Sequence, residues 1–233
     1  MSQTQDRAPI QTWVAVPGLT VVSDPTSPVA EAYRTLRSSI KFADVKPPVH
    51  SIAIADSGTG GQHAAVAANL AAALALGGDT VALVDAVLRR PELHQYLGLP
   101  NETGLSEWLA RGDVGQPLPL VDTQVSGLRF LPAGHAPSET VGISPVDLLG
   151  GDACAALLTG LRDEVSYVVV DTSPLPEYGD ALALAPRVDA VILLVRSGHT
   201  KRAEAQRAKE ALDRVGARVL GAVLTDTGRG IFR

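Results

Sequence analysis

The chain has 233 residues and a formal net charge of −5, with 45% hydrophobic and 19% charged residues. That length and apolar content fit one α/β domain with a large core, and the acidic balance argues against a nucleic-acid binder, which ordinarily carries a basic surplus. A single cysteine, Cys154, excludes an internal disulfide and any Cys-x-x-Cys metal spacing, and points to a reducing cytoplasm. Met1–Pro9 is polar, without an apolar leader. The longest apolar run, Ala64–Leu76, is interrupted by Asn69 and is too short to span a bilayer. Membrane contact is therefore expected only through a partner.

Residues 1–16 read as a loose arm and 17–233 as the domain. Leu19–Val22 is a short strand candidate ended by Asp24-Pro25. Ser27 is a good N-cap and Pro28 suits the first helical position, so a helix is expected from Val29 to about Ala43. Its Glu31, Arg34 and Arg37 recur at three-residue spacing along one flank; spacing alone reads them as a solvated face with local ion pairs. After Lys46-Pro47-Pro48, Ser51–Ala55 reads as a strand, followed by a glycine-rich turn and an alanine-rich helix from Gln62 to about Leu76, stopped by Gly77-Gly78.

Thr80–Val84, Tyr167–Val170 and Asp189–Val195 are continuous apolar runs, as expected of parallel strands covered on both faces. Leu128–Leu131 and Leu220–Leu224 add two more strands. Short helices are expected through Tyr96 and over Gly104–Ala110. Pro132–Ile143 reads as a loop, and Pro145–Glu164 as helical but interrupted at Gly150-Gly151. Lys201–Val215 forms a helix with a narrow apolar stripe, suited to the outside of a sheet. Strands alternating with helices give a doubly wound, mostly parallel α/β fold with helices on both faces.

The stretch Ser57-Gly58-Thr59-Gly60-Gly61-Gln62-His63-Ala64-Ala65 joins a strand to a helix, the layout of a phosphate-binding loop of the P-loop NTPase type. The Gly-Lys-Ser/Thr that such a loop requires is replaced by Gln62-His63-Ala64. Ligands of open parallel sheets bind beyond the carboxyl ends of the strands, and three strand ends here carry acids, Asp56, Asp85 and Asp171. Each alone reads as a turn or cap residue. Together, beside a glycine loop, they occupy the places where P-loop ATPases hold Mg²⁺.

From about Pro17 to Leu224 the chain resembles the bacterial tyrosine kinases (BY-kinases) of capsular and exopolysaccharide synthesis, the ATPase half of polysaccharide co-polymerases. The segments that carry the resemblance include SPVAEAYRTLRSSIKF at Ser27–Phe42, LVDAVLRRPELHQYLGLPNETGLSEWL at Leu83–Leu109, VVVDTSP at Val168–Pro174 and DALALAPRVDAVILLVR at Asp180–Arg196. The resemblance implies a modified Walker A loop over Ser57–Ala65, in which the family's lysine is His63 and its Ser/Thr pair is Ala64-Ala65. It implies an Asp-x-Asp-x-Arg signature at Asp85, Val87 and Arg89, with the second aspartate lost, and a Walker B acid at Asp171. It also turns Glu31, Arg34 and Arg37 into the element that joins subunits into a ring. The family's tyrosine cluster has no counterpart among Tyr33, Tyr96, Tyr167 and Tyr178, which are scattered.

These losses remove the fixed cation against the phosphates, the hydroxyl that ligates Mg²⁺ and one of two carboxylates, while Gln62 adds a side chain where backbone approaches phosphate. Asp56 is expected at the pocket mouth. The expectation is a pseudokinase with Asp85 and Asp171 vestigial, no resident metal and no cofactor. Its partners would be a membrane polysaccharide co-polymerase or a kinase paralogue, met at the inner face of the cell membrane. The alternatives are an active tyrosine autokinase using ATP and Mg²⁺, and an adaptor like the partitioning ATPases.

Overall fold

The computed structural model describes residues 18–43, 46–59, 62–112, 114–137 and 142–226. The arm expected over residues 1–16, together with Gly60 and Gly61 of the glycine loop, lies outside them.

A seven-stranded sheet forms the middle layer, from β1 (Ser51–Asp56), β2 (Val81–Asp85), β3 (Val121–Asp122), β4 (Leu128–Leu131), β5 (Tyr167–Asp171), β6 (Ala190–Arg196) and β7 (Val219–Thr225). Their order in space is β3-β4-β2-β5-β1-β6-β7, and every pairing is parallel except β3 against β4. The expected doubly wound sheet is thus observed, with an antiparallel edge added. The apolar runs read as strands do lie inside it: β1, β2 and all but the first residue of β5 are buried throughout.

Side chains alternate between the two faces, as the period-two geometry of a strand demands. Ile52 and Ile54 of β1 pack on one face with α1 (Thr20–Ser23), α2 (Pro28–Lys41), α3 (His63–Leu76) and α4 (Leu93–Leu97). Ala53 and Ala55 pack on the other with α5 (Leu105–Arg111), α6 (Pro145–Gly150), α7 (Asp152–Glu164), α8 (Asp180–Leu184) and α9 (Arg202–Arg214). Helix α3 is buried on all sides, which explains its alanines: small side chains let it lie close to the sheet while Leu70 and Leu74 fill the gaps. Each such leucine contributes roughly 1.5–3 kcal/mol by leaving water. Ser27 caps α2 as expected, its Oγ accepting the Ala30 N–H at 3.1 Å.

The strand expected at Leu19–Val22 is instead helix α1. Its β-branched residues favour a strand in isolation, but tertiary contact decides otherwise. The Val21 N–H donates to Oδ1 of the buried Asn69 at 3.1 Å, and Asn69 Nδ2 donates to Gly18 O at 3.1 Å. Leu19 and Val21 then bury against α3 rather than pairing with a strand edge. Two elements carried no sequence signal: the two-residue β3, and α8 with the 3₁₀ turn Ala185–Arg187 that follows it.

Candidate functional site

The carboxyl ends of β2, β5 and β1 lie side by side, so the sheet itself assembles the acids. Asp85 and Asp171 are direct partners in the β2–β5 register, and Ile54 of β1 pairs with Asp171 from the other side. All three acids are buried: Asp85 is 0% exposed, Asp171 1% and Asp56 3%. Asp56 therefore sits beneath the loop and not at the pocket mouth, because the N–H groups of Gly58 and Gln62 fold over its carboxylate.

Helix α3 delivers the one cationic side chain that, among the described residues, contacts these acids. His63, the first helical residue, is 5% exposed and places Nδ1 at 2.8 Å from Asp171 Oδ1. Burial by itself depresses a histidine, but the charge and hydrogen bond of Asp171, with the further fields of Asp56 and Asp85, lift His63 to about 9. Burial raises Asp85 well above the usual carboxylate range, and the neighbouring Asp171 pushes it the same way. Asp171 is raised by burial too, against the pull of the His63 imidazolium. Asp85 Oδ1 accepts the Val87 N–H at 3.0 Å, whereas Oδ2 of both Asp85 and Asp171 is buried without a partner.

Other described residues of the loop have partners within the fold. Ser57 Oγ donates to Leu194 O at 2.5 Å and its N–H to the same oxygen at 3.0 Å. Gly58 lies against Thr200 and Thr59 is exposed. Gln62 Nε2 donates to Asp226 Oδ1 at 2.9 Å, and Arg196 Nε holds the other oxygen of that carboxylate at 2.6 Å. Ala64 is fully buried and Ala65 half-buried at the head of α3.

Across the crevice, Arg89 grips Asp180 with Nε at 2.8 Å and Nη2 at 3.1 Å, and its guanidinium stacks 4.6 Å from the Tyr178 ring centre. Between these walls lies a cavity of about 180 Å³, lined by residues that include His63, Val87, Arg89, Arg90, Ser173 and Tyr178. Sequence reasoning placed His63, Val87 and Arg89 here. It missed Asp180, Asp226, Ser173 and Tyr178, which contact the site through the fold alone.

The other predicted set lies apart, on α2. Glu31 and Arg34 form an ion pair at 2.8 Å, both partly open to solvent, and Arg34 also donates to Pro25 O. Arg37 does not join them: its Nη1 donates to Ala73 O at 3.0 Å, bracing α2 against the end of α3.

A doubly wound sheet with a loop-to-helix turn after its interior strand β1, and acids ending β1, β2 and β5, defines a P-loop NTPase-like scaffold. No family model matches the chain. It is 32% identical over 209 residues to the tyrosine-protein kinase YwqD of Bacillus subtilis, covering 87% of this chain and 83% of that one. It is 32% identical over 207 residues to the succinoglycan biosynthesis transport protein ExoP of Rhizobium meliloti, spanning 89% of this chain and only 26% of ExoP. Among solved structures, the kinase domain of the Escherichia coli tyrosine kinase ETK superposes with a TM-score of 0.82 at 25% identity, covering 99% of this chain and 88% of that domain. The chain belongs to the bacterial tyrosine-protein kinase family of exopolysaccharide and capsule biosynthesis.

Proposed function

We propose that this chain is a non-catalytic member of that family, a subunit that scaffolds or regulates capsular or exopolysaccharide synthesis and export. The observation that carries the reading is the 2.8 Å contact of His63 with Asp171. Where the family pattern has a lysine directed at phosphates, this chain has a ring turned down onto the acid that would otherwise serve the reaction. Four further features support it. Ala64 brings no hydroxyl to the head of α3, and Val87 lines the cavity with methyl groups in place of a carboxylate. The Gln62 side chain is engaged by Asp226. The cavity, at about 180 Å³, falls below the roughly 300–1,000 Å³ typical of small-molecule sites. Residues of this kind do not fit a resident Mg²⁺-nucleotide.

Assembly through the exposed Glu31–Arg34 flank, with Arg37 as an internal brace, suits a subunit that joins a homo- or hetero-oligomeric ring. None of the helices among the described residues is long and apolar enough to cross a membrane. In this reading the chain works at the inner face of the membrane, held there by a co-polymerase or a kinase relative.

Incubation with Mg²⁺ and labelled ATP is expected to yield no phosphotyrosine. Transfer that Asp85→Ala abolishes would overturn the proposal. That outcome belongs to the second reading, an active autokinase, which the retained Asp85 and Asp171 and the kinase names of the relatives favour.

A further inference from the structure

Three side chains that line the 180 Å³ cavity bear on what it can hold. Ser173 is 1% exposed, lines the cavity, and its Oγ has no hydrogen-bond partner. Leaving a buried hydroxyl without a hydrogen-bond partner is unfavourable, so a ligand that accepts from it recovers that loss. Arg90 lines the same cavity, is exposed, and has no carboxylate partner among the described residues. Arg89, although gripped by Asp180 through Nε and Nη2, has no hydrogen-bond partner for Nη1 among the described residues. Hydroxyl and guanidinium side chains lining one small space suit a compact, doubly charged oxyanion.

The walls say what carries that anion. The Tyr178 ring is pinned by Arg89 at 4.6 Å, and Pro174 lines the same cavity. A flat apolar ring packs favourably against such surfaces. Val87 matters here as well, since an acid at that position would repel a phosphate from the same wall. At roughly 30 Å³ per water, 180 Å³ holds about six waters, which accommodates a phosphate and part of a ring but not a nucleoside triphosphate. Glu92 and Glu177 stand at the cavity as well, exposed. Their charge disfavours polyanions, which leaves a single phosphomonoester, met by Arg90, as the largest anion that suits the cavity.

We propose that this cavity binds the phosphate of a phosphotyrosine side chain presented by a partner chain. The inference rests on the non-catalytic reading: a pocket that does not transfer phosphate is free to recognise the product of a kinase that does. The shared chemistry, an aryl phosphomonoester, distinguishes a phosphotyrosine from free phosphate by its ring.

The test is fluorescence anisotropy of the full chain with a labelled phosphotyrosine peptide of neutral flanking sequence, without nucleotide. Binding is expected, at least tenfold weaker for the tyrosine peptide and for a phosphoserine peptide. Inorganic phosphate should displace the peptide only at far higher concentration. Arg90→Ala and Ser173→Ala are each expected to weaken binding about tenfold; Arg90 is exposed, so its replacement leaves the fold intact. Equal binding of tyrosine and phosphotyrosine peptides, or no effect of Arg90→Ala, overturns the proposal. Displacement by inorganic phosphate as readily as by the peptide overturns the role of the ring. A parallel incubation of the tyrosine peptide with Mg²⁺ and labelled ATP reports separately on the non-catalytic reading, because phosphate incorporation there refutes that reading whatever the binding arm gives.

Discussion

Replacing His63 by glutamine removes the only cation that, among the described residues, directly contacts the buried acids at the sheet crest. The histidine rises from an ordinary 6.5 to about 9 in the fold, and at about 1.36 kcal/mol per pH unit the pair contributes about 3 kcal/mol to stability. The sign follows from the direction of the rise. A group raised in the folded state stabilises fully below its unfolded value and loses that contribution as pH climbs through its folded value. Stability should therefore hold up to about pH 6.5 and fall by about 3 kcal/mol by about pH 9.5. Asp85 and Asp171 are also raised by burial, so their ionisation acts in the same sense and does not cancel the fall. Urea unfolding followed by circular dichroism across that range measures it directly. His63→Gln should start lower by about 3 kcal/mol, within the range for breaking a buried pair, and lose most of the slope. A flat profile in the wild type, or an unchanged slope in the variant, would refute the argument.

Asp189 accepts from the N–H groups of His50 and Ser51 at 2.9 and 2.8 Å and from Ser51 Oγ at 3.0 Å, and it pairs with Arg162. Asp189→Ala should cost about 2–4 kcal/mol, since hydrogen bonds to a charged group contribute roughly 1.5–3 kcal/mol each but are not additive; chemical denaturation checks this. Asn69→Leu should release α1, seen as faster amide exchange at Val21 with the α3 amides unchanged. Arg89→Ala should free Asp180 and Tyr178 and leave a 1%-exposed carboxylate unpaired; a loss of about 3 kcal/mol in thermal or urea unfolding is expected, and Arg89→Lys should recover only part of it because lysine lacks the two-pronged donor. Arg34→Glu should lower the molecular mass seen by light scattering if the α2 flank joins subunits; an unchanged mass would remove that flank from the assembly.

Strands β1, β2 and β5 were legible because they are apolar runs closed by aspartate, and α3 because alanine has high helix propensity with no polar face to place. Helix α1 was misread because Thr20, Val21 and Val22 carry strand propensity, whereas Asn69, 48 residues away, fixes the backbone. The site divided along the same line. Acids at strand ends and a substituted loop are local patterns, which a sequence displays directly. The partners that re-engage those substitutions are distant: Asp180 lies 91 residues from Arg89, Asp226 164 from Gln62, and Asp171 108 from His63. No spacing rule connects such residues. The burial of Asp56 was likewise set by the loop folding over it, not by its position at a strand end.

The central claim is that the nucleotide site is occupied by the protein's own side chains. Isothermal titration of the purified chain with ATP and ADP in Mg²⁺ tests it most directly, beside a variant carrying Gln62→Gly, His63→Lys, Ala64→Ser and Val87→Asp. No detectable heat from the native chain, with binding in the repaired one, is the predicted result. Micromolar binding by the native chain would mean that His63 and Gln62 leave their internal partners for the nucleotide, and would contradict the account.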